Sequence, residues 1–150
     1  QKLNLPPNIK LNSIPEDRTL AQMLRDGEID AFYTARKPSS FDGKQVTRLF
    51  ENFVEVEKAY YQQTGMFPIM HTVAIKREVY EANRWIAQSF YKAFTEAQKK
   101  TYEDLKETAA LKGMLPWFNA HVEEALDLMG PDFWAYGFEP NYKTLETFLR

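Results

Sequence analysis

The residues best suited to chemistry lie in the run YYQQTGMFPIMH at positions 60–71. This run contains the phenols of Tyr60 and Tyr61, the hydroxyl of Thr64, and His71, one of the 2 histidines in the chain. Because imidazole titrates near neutral pH, His71 is the obvious proton donor or acceptor. The alternative is a core histidine hydrogen-bonded to a backbone carbonyl, since a polar group in an apolar stretch needs a partner. The sequence leaves both interpretations open.

A second polar group follows the apolar run at 29–35. Arg36 can hold a carboxylate through its two-pronged guanidinium, and the hydroxyl of Ser39 can donate to an oxygen. Tyr33 and Phe67 can flank an aromatic ring. Arg36 as an ordinary surface residue is an equally good interpretation. Together with residues 60–71, this group favours the binding of a planar acid.

Composition excludes several classes of function. A chain of 150 residues with 44% hydrophobic residues can form a domain with a real core. A net charge of -2 argues against nucleic-acid binding, which needs an excess of Lys and Arg. The absence of Cys and of an HExxH motif gives no expected metal site, and no apolar run reaches the length of about 20 residues that spans a bilayer. A phosphate-binding glycine loop and a GxSxG motif are also absent.

Hydrophobic spacing and turn residues predict the elements that position these groups. Thr19 and Gln22 have the spacing of a helix-starting capping box, and Gly27 and Gly65 are predicted helix ends. The order strand, helix, strand followed by a mainly helical half indicates an α/β fold. Strands are predicted at 9–14, 29–35 and 68–75, and helices at 20–26, 48–63, 77–83, 85–111, 116–129 and from 140 onward.

Three motifs now indicate a family: the run at 60–71, GEIDA with ARxPS at 27–39, and DFWxYGxEPN at 132–141. In these motifs the chain resembles the 4,5-dihydroxyphthalate decarboxylases, from about Ile9 to Arg150. The resemblance implies a type II periplasmic-binding-protein-like α/β fold, part of a two-lobed clamshell with a largely helical C-terminal half. Residues 1–50 would end one α/β lobe, 51–75 would form the hinge crossing and return strand, and 76–150 the helical part of the other lobe. The chain would then be a C-terminal fragment of a longer protein.

The resemblance also implies an activity, that of a carbon–carbon lyase removing a carboxylate from a hydroxylated aromatic acid. His71 would protonate the ring carbon that bears the departing carboxylate. Arg36 and Ser39 would hold a carboxylate, and Tyr60 or Tyr61, with Thr64 as a further donor, would orient the ring hydroxyls. This route requires no redox or pyridoxal cofactor. The expected partner is a small aromatic or anionic substrate, and the expected compartment is the cytoplasm.

The same fold permits a second function, that of a solute-binding protein for an ABC-type transporter. In that case Arg36 and the tyrosines bind a small anionic or aromatic ligand and His71 only donates a hydrogen bond. The partners would include a transporter permease and the compartment would be the periplasm. An oligomer is compatible with either function. A purely structural role is the least favoured, because the sequence contains no repeat or coiled-coil pattern.

Overall fold

A computed structural model describes residues 5–150, and in this range all regular secondary structure is α-helical. By internal contacts the chain divides into two units. The described part of the first unit is residues 5–53, and the second unit is Val54–Arg150. The predicted division at 1–50, 51–75 and 76–150 stays a prediction, and its residues 1–4 lie outside the described range. The helices are α1 (Leu20–Arg25), α2 (Phe53–Thr64), α3 (Arg77–Ala82), α4 (Trp85–Lys106), α5 (Phe118–Met129) and α6 (Phe138–Leu149).

Local sequence signals explain how α1 begins and ends. Thr19 Oγ1 accepts from the backbone N–H of Gln22 at 3.3 Å, and Gln22 Oε1 accepts from the N–H of Thr19 at 3.0 Å. This exchange confirms the predicted capping box, which satisfies two N–H groups that lack helical partners. After the helix, Gly27 has φ +72°, a left-handed conformation that glycine adopts without steric penalty.

In the first unit an aspartate organises the turn at residues 42–46. Asp42 Oδ1 accepts from the backbone N–H groups of Lys44 and Gln45, both at 2.9 Å, and of Val46 at 3.0 Å. Hydrogen bonds from the N–H of Lys44 and then of Val46 hold the pKa of the Asp42 carboxyl below its ordinary value. Val46 lies at the end of this turn and is 6% exposed, which makes it the one buried hydrophobic residue of the range 5–150.

In the second unit the long helix α4 contacts both α3 and α5. The ammonium of Lys58 on α2 donates to the carboxylate of Glu124 on α5, which joins these helices. The hydrogen bond with Glu124 raises the pKa of Lys58, and the same bond lowers the pKa of Glu124. No side chain of residues 54–150 is fully buried, so the apolar faces of these helices stay partly exposed.

The α/β fold predicted from the sequence is wrong, and with it the type II periplasmic-binding-protein-like clamshell. Residues 9–14, 29–35 and 68–75 form no strand in the described part of the chain. A short apolar run is compatible with a buried strand, but a strand also needs a neighbour that completes its backbone hydrogen bonds. None of these three runs has such a neighbour within residues 5–150, and residues such as Tyr33, Met70 and Val73 are exposed.

The helix predictions fare better, because each predicted helix corresponds to an observed one. The main errors are at the ends: α2 begins at Phe53 instead of 48, and α4 ends at Lys106 instead of 111. Within residues 5–150, every helix is too short or too polar to cross a lipid bilayer.

Candidate functional site

The end of α2 directs the chain into the candidate site. Thr64 Oγ1 donates to the carbonyl of Tyr60 at 2.7 Å and accepts from the N–H of Met66 at 3.1 Å. Gly65 follows with φ +64°, and its N–H donates to the carbonyl of Tyr61. Lys143 on α6 donates from its ammonium to the carbonyl of Thr64. These bonds satisfy carbonyl groups at the helix end and confirm the predicted helix stop at Gly65.

Beyond this turn, residues 66–76 run without regular secondary structure along one wall of a cavity of about 730 Å³. Helices α4 and α6 and the loop at 130–137 form the other walls. The apolar side chains that suggested a strand at 68–75 face this cavity instead, including Ile69, Met70, Val73 and Ile75. A cavity of this volume is within the range of small-molecule sites.

Aromatic side chains line every wall of the cavity. Two of them are in contact, because the rings of Phe67 and Trp134 are in an edge-on arrangement with centroids 5.4 Å apart. Such a lining suits a flat aromatic ligand, whose ring can stack or meet these rings edge-on. The aromatic lining residues are Tyr61, Phe67, Phe90, Tyr91, Phe94, Phe133, Trp134, Tyr136 and Phe138.

Two side chains of α4 hold the aromatic loop at 132–137 in place. The Tyr102 hydroxyl oxygen accepts from the N–H of Trp134 at 2.9 Å, and Gln98 donates to the Trp134 carbonyl and, at 3.3 Å, to Tyr102. The Tyr102 hydroxyl in turn donates to Asp132 Oδ1 at 3.1 Å, and its ring lies against Phe133 with centroids 4.9 Å apart. Burial, the largest effect, raises the pKa of the Tyr102 phenol, so the hydroxyl remains a donor.

The far end of the loop is fixed from α6 and α4. Asn141 Nδ2 donates to the carbonyls of Ala135 and Gly137, at 2.8 and 2.9 Å. Gly137 has φ +104°, and a Cβ at this position would lie 3.1 Å from the hydroxyl oxygen of Tyr91. The backbone conformation at Gly137 therefore favours glycine, and the approach of Tyr91 leaves little room for a side chain.

Of the predicted site residues in the second unit, His71 and Tyr61 line the cavity. His71 is exposed to it, so the alternative of a histidine enclosed in a core does not apply. Tyr60 is 48% exposed and lies outside the lining, as does Thr64, whose hydroxyl is engaged by the turn. The catalytic and binding roles of all four residues stay predictions.

Arg36 and Ser39 belong to the first unit, and both are exposed. Within that unit the guanidinium of Arg36 forms no hydrogen bond or ion pair with a described residue, whereas its backbone is fixed by Thr34. The hydroxyl of Thr34 donates to the Arg36 carbonyl at 3.0 Å and accepts from the Arg36 N–H at 3.2 Å. The predicted role of these two residues in holding a carboxylate stays a prediction.

Sequence reasoning did not identify the residues that organise and polarise the cavity, namely Gln98, Tyr102, Asp132 and Asn141. One signal was present, because Gln98 and Tyr102 are four residues apart and therefore share one face of α4. Asp132 and Asn141 stand at the two ends of the DFWxYGxEPN motif, but no local pattern connects that motif with α4. Within residues 5–150, no group of three His, Asp or Glu side chains is arranged to hold a metal ion.

The second unit is helical, and among the described residues its cavity is lined by aromatic side chains, one histidine and one carboxylate, features that suit a small-molecule site. The chain is 37% identical over 149 residues, 98% of its length, to a 4,5-dihydroxyphthalate decarboxylase of Comamonas testosteroni. This similarity confirms the resemblance inferred from the three motifs. The chain spans 45% of the length of that curated relative. No protein-family model matches the chain.

Proposed function

We propose that this chain belongs to an enzyme that decarboxylates a hydroxylated aromatic acid similar to 4,5-dihydroxyphthalate. The observation that carries the proposal is the position of His71, a proton donor exposed on an aromatic-lined cavity of about 730 Å³. The name of the relative, a decarboxylase of a dihydroxylated phthalate, supports both the ring and the reaction. Aromatic acid catabolism is the corresponding role, and the cytoplasm is the proposed compartment.

The reaction begins with a ring hydroxyl para to the departing carboxylate, which donates electron density to the carbon that bears it. His71 transfers a proton to that carbon. The bond between the ring and the carboxylate then breaks and carbon dioxide leaves. The electron pair of the broken bond stays with the ring and restores its aromaticity. His71 is reprotonated from solvent, so each turnover consumes one proton and releases one carbon dioxide.

The remaining predicted residues take binding roles in this proposal. Tyr61 orients a ring hydroxyl from the cavity wall, whereas Tyr60 and Thr64 support the helix end from which Tyr61 projects. Arg36 and Ser39 hold a carboxylate through charge-assisted hydrogen bonds. The solute-receptor alternative loses its main support, because it rested on an α/β fold that residues 5–150 do not form.

The test replaces His71 by Asn in the full-length protein and measures carbon dioxide release from 4,5-dihydroxyphthalate. We expect the rate to fall by about 10²- to 10⁴-fold with substrate affinity nearly unchanged, since general acid catalysis has this magnitude. In D₂O the wild-type product should contain deuterium at the carbon that lost the carboxylate. Full turnover by His71→Asn would refute the role of this residue.

His121 provides a matched control, because it is the second histidine of the chain and lies on α5 outside the cavity lining. His121→Asn should leave the rate unchanged. Equal losses in both variants would show that the effect comes from the fold and not from proton transfer. Absence of carbon dioxide release by the wild-type protein from a panel of hydroxylated benzoates and phthalates would overturn the proposed function.

A further inference from the structure

The cavity has an unusual balance of charge for a site that receives an acid. Its lining within residues 5–150 contains neither Arg nor Lys, and its one carboxylate is that of Asp132. A carboxylate at this position repels the carboxylates of an aromatic acid, since like charges at short range disfavour one another. Asp132 must therefore face a different part of the ligand, and a hydrogen-bond donor is the complementary group.

The contacts of Asp132 indicate which of its oxygens can receive that donor. The Tyr102 hydroxyl donates to Oδ1 at 3.1 Å, while the oxygen of Tyr102 accepts from the Trp134 N–H at 2.9 Å and from Gln98 at 3.3 Å. These two incoming bonds direct the hydroxyl hydrogen of Tyr102 toward Asp132. The Oδ2 atom has no hydrogen-bond partner among the described residues, which leaves an acceptor on a carboxylate that Tyr102 contacts through its other oxygen.

We infer that Asp132 is a specificity-determining residue that accepts a hydrogen bond from a phenolic hydroxyl of the substrate, and that Tyr102 positions it. The inference rests on the proposed function, which supplies an aromatic acid as the ligand. A phenol is the aromatic substituent that donates strongly to a carboxylate, and charge-assisted bonds of this kind are short and strong. Asp132 thereby selects ring-hydroxylated acids and turns the hydroxylated edge of the ring toward the loop at 132–137.

The inference accounts for the network that surrounds Asp132. A site that reads a hydroxyl group discriminates strongly against analogues that lack it, because its polar group then loses its partner. Discrimination also requires an acceptor held in one place. Gln98 and Tyr102 supply this by fixing both Asp132 and the adjacent backbone of Trp134.

The experiment replaces Asp132 by Asn in the full-length protein and measures affinities for 4,5-dihydroxyphthalate and for phthalate, which lacks the hydroxyls. The Asn side chain keeps a carbonyl oxygen for Tyr102, so the loop should stay folded, and circular dichroism checks this. We expect the preference for the hydroxylated ligand to fall by about 10- to 100-fold, with phthalate binding equal or tighter. Asp127→Asn, on α5 outside the cavity, is the matched control and should keep the wild-type preference.

A second variant, Tyr102→Phe, keeps Asp132 but removes the hydroxyl that holds it. It should lower the same preference by a smaller factor, because Asp132 keeps its charge but loses the hydrogen bond that orients it. Retained binding of both ligands with an unchanged preference in Asp132→Asn would overturn the inference while leaving the proposed function intact. Failure of the wild-type protein to bind or decarboxylate any hydroxylated aromatic acid would overturn both.

Discussion

Replacement of Gly137 by Ala tests how tightly the aromatic loop is built against α4. Gly137 has φ +104° and ψ 172°, a region that glycine alone adopts readily, so a side chain costs about 1–3 kcal/mol in the backbone. The added Cβ would also lie 3.1 Å from the Tyr91 hydroxyl oxygen, closer than ordinary van der Waals contact. Because Tyr91 is 53% exposed and can shift, we expect this crowding to add about 1 kcal/mol, the lower end for overpacking.

Gly130 separates the two contributions. It has φ 86° and ψ -178°, nearly the same backbone conformation, but a Cβ there meets nothing within 4 Å. Gly130→Ala should therefore lower the free energy of unfolding by the backbone cost alone, about 1–3 kcal/mol. Gly137→Ala should lower it by about 1 kcal/mol more. Urea unfolding of the full-length protein, monitored by tryptophan fluorescence, measures both losses of stability. The slope of the unfolding free energy against urea concentration should be the same in both variants.

Tyr91→Phe identifies the contact that is responsible. Removing the hydroxyl leaves the ring carbons at 3.4 and 3.5 Å from the added Cβ, which is ordinary contact. In the Tyr91→Phe background, Gly137→Ala should then cost about as much as Gly130→Ala, a coupling of about 1 kcal/mol in a double-mutant cycle. Equal costs for the two glycines, or no coupling with Tyr91, would refute the close packing of the loop against α4.

Two further predictions concern charged groups. The pKa of the Asp42 carboxyl is lowered in the folded state, chiefly by the hydrogen bond from the N–H of Lys44. Its contribution to stability is therefore present above the unfolded pKa of about 3.9 and is lost as the pH falls through the lower folded pKa. Wild type should be more stable than Asp42→Asn at neutral pH, with a difference in urea midpoint that shrinks in acid; a constant difference would contradict this assignment. Glu124→Gln removes the α5 partner of Lys58, which keeps Glu55 at 3.7 Å, and should lower the thermal midpoint at low salt but not at about 1 M salt, where charges are screened. Glu123→Gln should have no such salt-dependent effect.

The sequence predicted the features that depend on neighbouring residues. The capping box at Thr19 and Gln22 and the helix stop at Gly65 follow from groups only a few residues apart, and both occur in the structure. The predicted strand at 68–75 failed because strand formation depends on a partner that the run itself does not specify. An apolar run of this length is equally compatible with one wall of an aromatic cavity.

The site, too, was predictable only where it depends on single residues and not on distant contacts. His71 and Tyr61 could be identified because the types of their side chains suggest chemistry wherever they lie, and both line the cavity. Asp132 could not, since its significance depends on Tyr102, 30 residues away in the chain. Hydrogen bonds over such separations arise from packing between elements, which no local pattern encodes.

Under the proposed function, the charges of the cavity also constrain how a dicarboxylate can be recognised. With His71 and Asp132 as its only His, Asp, Glu, Lys or Arg side chains within residues 5–150, the lining offers little positive charge to neutralise two carboxylates. Burying an unpaired carboxylate is costly, so in the proposed complex the acid groups need solvent or residues outside this lining. Affinity for the ring and its hydroxyls is thus separable from affinity for the carboxylates. Substitutions at Asp132 should change the preference among substituted rings. Substitutions at Arg36, the proposed carboxylate ligand, should lower the affinity for all aromatic acids alike.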